Sequence, residues 1–210
     1  MTDIPALIAA FTTLFVIVDP PGLSPVYLAL TQGQTPAQRR AIAARAVVIA
    51  GCLMLAFLFL GEALLGFVGV SMPAFRIAGG VLLFLTALEM LFQRRQARRE
   101  DNANDTQSQP SDDPSVFPLA LPLICGPGAI ATIILLAGRA ETMLDMAAIA
   151  GICVAVLLCV FIAFLLATPL ERMLGKIGLN IVTRILGMLL AALSVQFILD
   201  GIAQSFGLTG

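Results

Sequence analysis

Asp19 is the residue of this sequence best placed to do chemistry. It stands as an ionisable carboxylate inside a long apolar run, within the stretch Val18-Asp19-Pro20-Pro21-Gly22-Leu23-Ser24-Pro25. A carboxylate buried in an apolar span is expensive and is a functional candidate by default, here for an ammonium group or a coupling cation. Pro20, Pro21 and Pro25 lack a backbone N–H and clash with the preceding turn, so they are expected to break the helix. Broken backbone at membrane depth is tolerated only inside protein or beside a watery cavity. The stretch therefore implies a cavity with Asp19 near the middle of a span.

A second interruption of the same kind stands 106 residues on, at Cys125-Gly126-Pro127-Gly128. A half-helix starting after each break has unpartnered N–H groups and the positive end of its dipole, which together bind carboxylates. At the first break Asp19 occupies the N-cap position and Pro20 the first helical one, so the side chain can satisfy those donors itself. At the second, Gly126 brings no side chain, and the N–H groups of Gly128 and Ala129 are expected to be open to a ligand carboxylate. Gly22, Ser24, Gly126, Gly128, Ala129 and Thr132 leave room for a small ligand and offer hydroxyls to orient it. Small residues suit close helix packing equally well. Pro20, Pro21, Pro25 and Pro127 are assigned to breaking the helices.

Among the other acidic residues, Glu62 is expected in the outer third of the second span as a coupling or gating candidate. Glu89 and Asp200 are expected near interfaces, and Asp200 is a second coupling or gating candidate. Arg76 and Arg184 open the third and sixth spans and read as snorkelling anchors, with pairing to Glu62 or Asp200 as the alternative. Histidine is absent and the four cysteines lie in apolar runs without a C-x-x-C pair, so no metal site and no disulfide framework is expected.

The elements that must position these residues belong in a bilayer. Of the 210 residues 59% are hydrophobic and 12% charged, and the mean hydropathy is +0.99. Six segments are long and apolar enough to span: 6–30, 45–69, 76–92, 116–137, 146–168 and 182–204. The opening span follows no basic residue and no small-residue cleavage pattern, so it is expected to be retained. Ten of the twelve basic residues fall on one side of such a six-span chain, which puts both termini in the periplasm of a Gram-negative cell. Residues 93–115 mix both charge signs with almost nothing apolar and read as a disordered cytoplasmic linker. Thr35-Pro36-Ala37-Gln38 has the form of a capping box. The net charge of −1 offers no basic block, which argues against nucleic acid as a partner. No cofactor is implied beyond a coupling proton or sodium ion, and the sequence carries no signal for an oligomeric state.

The linker separates two halves that echo each other, residues 1–92 and 116–210. Besides the two breaks, Phe75-Arg76-Ile77-Ala78-Gly79-Gly80 returns as Thr183-Arg184-Ile185-Leu186-Gly187-Met188, and Leu65-Gly66-x-x-Gly69 as Leu174-Gly175-x-x-Gly178. Three spans per half is an odd number, so a duplicated half must enter the membrane inverted. Paired interruptions in two inverted halves point to a transporter site near the midplane. The expected fold is thus an all-α membrane protein of six transmembrane helices, a 3+3 inverted repeat with helices 1 and 4 broken near the midplane.

These motifs carry a family resemblance. The pattern D-P-x-G-x-x-P stands at Asp19, Pro20, Gly22 and Pro25. The stretch P-L-x-x-P-L-x-x-G-P-x-x-I-x-T stands at Pro118, Leu119, Pro122, Leu123, Gly126, Pro127, Ile130 and Thr132. Gly61-Glu62 and the closing Gln196, Asp200, Gly201 and Ile202 complete the set. The chain resembles the MarC family of bacterial inner-membrane proteins, also called the SnatA or neutral amino acid transporter family. Many members have asparagine where this chain has Leu23. The resemblance implies ion-coupled secondary transport of small neutral amino acids such as glycine and alanine, and it adds Gln196 to the coupling or gating candidates. It does not imply drug efflux.

Three rival functions are weaker. A small-solute channel would fit the same cavity but could not drive uptake above equilibrium. A transmembrane thiol electron carrier would use Cys125, but exchange needs a partner thiol, and no cysteine lies close to Asp19 in sequence. An enzyme would need a nucleophile beside a base or a metal cluster, and neither is evident.

Overall fold

The computed structural model describes residues 4–94 and 113–207, apart from the side chain of Lys176. Among them the regular structure is entirely helical: α1 (Ile4–Val18), α2 (Pro20–Leu30), α3 (Pro36–Val68), α4 (Met72–Leu91), α5 (Ser115–Ile124), α6 (Pro127–Ala137), α7 (Met143–Leu165) and α8 (Ala167–Ser205). Five stretches are long and apolar enough to cross a membrane, and six if α5 and α6 form one bent span. The protein is therefore a multi-pass membrane protein. The linker expected over 93–115 lies mostly outside the described residues. At its C-terminal end Ser115 already belongs to α5 and is buried, its N–H donating to Asp113 Oδ1 at 3.1 Å.

The expected capping box starts α3. Gln38 N–H donates to Thr35 Oγ1, and Thr35 N–H returns a bond to Gln38 Oε1 at 2.9 Å. This cap sets the start nine residues before the expected span, so the 33-residue α3 is about 50 Å long and outreaches the hydrocarbon core. A second capping box, Thr142 with Asp145, starts α7. Helix α8 likewise starts earlier than its apolar stretch, with a kink at Gly175 (φ 60°).

Helices α1, α2 and α6 form the centre. From Gly128 to Ala137 every residue of α6 except Ile130 is buried. Around them α3 packs on α7 and α4 packs on α8. The α4–α8 pair approaches closely through small residues. A Cβ on Gly80 would lie 2.9 Å from Ser194 O, and one on Gly201 3.0 Å from Pro73 O. The outer faces expose Phe59, Leu64 and Phe67 on α3, Leu158 and Ile162 on α7, and Ile185, Leu189 and Leu199 on α8. An apolar surface of this extent is a surface for lipid. Tyr27 turns inward, stacked on Phe164 at 4.4 Å between ring centroids, and its hydroxyl donates to Arg39 O at 2.8 Å. It ties the end of α2 to the start of α3 and to α7.

Candidate functional site

The first break is a single residue wide. Asp19 adopts the left-handed conformation (φ 59°, ψ 62°), which aspartate tolerates better than most side chains. Its N–H still donates to Phe15 O at 2.9 Å and its carbonyl accepts from Leu23 N–H at 3.1 Å, so the ladder resumes at once on both sides. Pro20 and Pro21 fill the first two helical positions, where no donor is required. Gly22 N–H donates to Asp19 Oδ1 at 3.2 Å, so the carboxylate caps the half-helix it begins. Asp19 has no exposed surface. The fit at Gly22 depends on its lack of a side chain, since a Cβ there would lie 2.1 Å from Asp19 Oδ2. Pro25 sits inside α2 without ending it.

The second break is wider and differently made. α5 is an irregular, loosely wound helix with extended backbone at Phe117 and Leu121. Cys125 ends it, and α6 leaves at an angle of 58°. Gly126 stands at the N-cap with extended backbone, Pro127 follows at the first helical position, and no side chain caps the end. Gly126 has to be glycine for contact reasons, because a Cβ would meet Pro122 O at 2.7 Å.

The two breaks adjoin. The Cβ position of Gly128 is 3.4 Å from Ile17 Cγ2, two residues before Asp19, and 3.3 Å from Leu83 Cδ2 of α4. Gly22, Ser24, Gly128, Ala129 and Thr132 are all buried, with Gly126 partly so. Both hydroxyls already donate to backbone. Ser24 Oγ lies 3.3 Å from Pro20 O and 3.4 Å from Ala163 O of α7, and Thr132 Oγ1 lies 2.9 Å from Gly128 O. What they can still offer a ligand is their oxygen lone pairs.

Glu62 is exposed on α3. Its neighbour Gly61 presses on α6, where a Cβ would lie 2.4 Å from Ile134 Cγ1. Gln196 and Asp200 belong to a separate group at the end of the molecule where α1 begins and α8 ends, called here the N-terminal face. Asp200 Oδ2 accepts from Arg139 Nη2 at 2.9 Å, and its Oδ1 accepts from Gln196 Nε2 at 2.7 Å. Arg76, expected to snorkel, is instead 92% buried, and its charged neighbours are Arg139 and Asp200, brought in by α6 and α8. A cavity of about 260 Å³ lies beside this group, between α1, α6 and α8. On the opposite face Leu85, Leu88, Glu89 and Phe92 line a cavity of about 420 Å³. Those four positions each precede by 108 residues one of the residues Leu193, Gln196, Phe197 and Asp200 that line the first. Arg139 and the buried state of Arg76 were missed by sequence reasoning. So was Cys153 of α7, which lies within electrostatic range of Cys125, both being buried free thiols. Among the described residues no group of three His, Cys, Asp or Glu side chains could hold a metal.

The profile of the MarC family integral membrane proteins matches residues 4–206. The chain belongs to the MarC family. Relatives agree with that: a UPF0056 membrane protein of Archaeoglobus fulgidus is 38% identical, the match covering 93% of this chain and 92% of the relative. The UPF0056 membrane protein YhcE of Escherichia coli is 34% identical over 97% and 95% of the two chains. The UPF0056 inner membrane protein YhgN of the same organism is 33% identical over 93% and 95%. None of these names states a substrate, and no solved structure matches. In this MarC protein the motif residues fall into three groups: the two breaks, the α3–α6 contact at Gly61, and the polar cluster at the N-terminal face.

Proposed function

We propose that this MarC protein is a secondary transporter of small neutral amino acids, glycine or alanine in size, in a bacterial inner membrane with both termini periplasmic. The substrate carboxylate binds the N–H groups of Gly128 and Ala129 at the start of α6, and Asp19 faces the ammonium group or a coupling proton or sodium ion. The fold is read as an inverted 3+3 repeat, with α1–α2 and α5–α6 as spans broken near the midplane. Residues 1–92 and 116–210 are its halves.

The observation that carries this reading is the meeting of two unlike helix starts in the core. One is capped by a fully buried carboxylate and the other by no side chain at all. A zwitterion has the complementary pair of charges. Packing supports the repeat: α2 contacts α7 and α8 as α6 contacts α3 and α4, and α1 contacts α7 as α5 contacts α3. Cavities on opposite faces, lined in part by corresponding positions of α4 and α8, support it as well. Such a pair is what a molecule that exposes one central site to each side in turn would have.

The test is purified protein in liposomes, with labelled glycine and alanine under imposed proton and sodium gradients. Gradient-driven accumulation above equilibrium is expected, which a channel could not give. Asp19→Asn keeps a side chain that tolerates the left-handed backbone while removing the charge, and uptake is expected to vanish with insertion unchanged. Wild-type rates in that variant would end the proposal. Full activity of Cys125→Ala would remove thiol exchange with Cys153 as the chemistry.

A further inference from the structure

We infer that the cavity at the N-terminal face is a second binding site, for the carboxylate group of a small molecule with an aliphatic body. Both oxygens of Asp200 are engaged, one by Arg139 and one by Gln196, so this carboxylate is pinned to the turn after α6 on one side and to its own helix on the other. Arg139 uses Nη2 for that bond, and a guanidinium carries five N–H donors in a planar fork. Arg139 lines the cavity together with Asp200 and lies over the ring of Phe197, another lining residue, 5.6 Å from its centroid.

Charge points the same way. Among the described residues the charges acting on Arg76 are Arg139 and Asp200, and Asp200 is paired with Arg139, so this trio carries one positive charge in excess. Arg76 does not line the cavity, but it is buried behind the pair and its Nε has no hydrogen-bond partner. Two guanidinium groups, one buried and one exposed at the cavity, against one carboxylate favour an anion at the exposed Arg139. The rest of the cavity is apolar, with Ala6, Ala9 and Ala10 of α1 facing Leu136 of α6. That lining takes a short aliphatic group, and the volume of about 260 Å³ is of amino acid size. Thr13 is the deepest lining residue on α1, six residues or about 9 Å along the helix from Asp19. A carboxylate held at Arg139 is thus held on the approach to the central site. That the ligand is the transported amino acid rests on the function proposed above; the preference for a carboxylate does not.

Ala9→Cys in a Cys52→Ala, Cys159→Ala background puts a reactive thiol in the cavity wall. Its rate of modification by an anionic thiol reagent is measured on purified full-length protein in nanodiscs, with acetate, alanine or methylammonium added. Acetate and alanine are expected to slow modification about tenfold at saturation and methylammonium not at all, as suits a charge-assisted carboxylate site. Protection should vanish in Arg139→Gln and return in part in Arg139→Lys. In Asp200→Asn it should need several-fold less acetate, since the competing carboxylate is gone. A merely structural ion pair would make the Arg139 and Asp200 variants behave alike. Alanine protecting at lower concentration than acetate identifies the amino acid as the ligand, and equal potency identifies a simple carboxylate, both in support of the site. Absence of protection by either overturns it, whether or not the protein transports alanine. Protection that persists in Asp19→Asn while uptake is lost separates this site from the central one.

Discussion

The α1–α2 break and the α5–α6 break stand 106 residues apart in sequence and adjoin in space, yet they are made of different materials. At the first, a side chain does the work: Asp19 takes the left-handed turn, caps α2 and lets the ladder close on both sides, so that Ile4–Leu30 reads as one span of 27 residues. At the second, backbone does it: extended residues at Phe117 and Leu121, a bare Gly126 cap and a bend of 58°. The lesson is that a half-helix can meet its N-terminal donors from its own sequence or leave them for something else. One of each, side by side, gives a site polarity without any second ionised side chain.

Substitutions at the two break glycines divide the cases. Gly126→Ala has the larger expected effect, because the new methyl group would meet the Pro122 carbonyl at 2.7 Å and backbone cannot swing aside. Loss of uptake is expected together with about 1–3 kcal/mol of stability, the usual range for overpacking, read as a lower thermal unfolding midpoint in detergent. Gly22→Ala comes next. Its methyl group would strike only the Asp19 carboxylate, so the side chain is evicted from its cap and uptake should fall nearly as far as in Asp19→Asn. The stability cost should be about that of one lost cap, ~1 kcal/mol. Equal destabilisation by the two variants would erase the distinction between a side-chain break and a backbone break. The smallest effect is expected from Ser24→Ala, which removes a long bond to Ala163 O and one to Pro20 O. The cost should stay within about 1 kcal/mol with uptake retained, and a complete loss of uptake would assign the hydroxyl to the ligand.

How much of this was legible follows from what is local. Pro20, Pro21 and Gly126-Pro127 announce helix starts through the chemistry of one or two residues, and both breaks fall where those residues stand. The Thr35–Gln38 capping box is equally local. The extended backbone at Phe117 and Leu121 was not read, because the apolar run 116–137 has the composition of an ordinary span. The pairing of Arg139 with Asp200 spans 61 residues and depends on how α6 leaves its bend, which no local pattern encodes. Arg76 illustrates the same limit. Five residues into α4 it has the address of an interface anchor, and only the arrival of α6 and α8 makes it an interior residue.

The chain has no tryptophan, and its one tyrosine is spent indoors, clamped between Phe164 and the start of α3. No indole or phenol is left to grip the headgroup layer on either side. What resists vertical slippage among the described residues includes exposed arginines at both ends, Arg40, Arg45 and Arg94 where α3 begins and α4 stops and Arg139 at the N-terminal face. The rim with three of these arginines holds the firmer grip, and a thicker or thinner bilayer would be felt more at the rim with one.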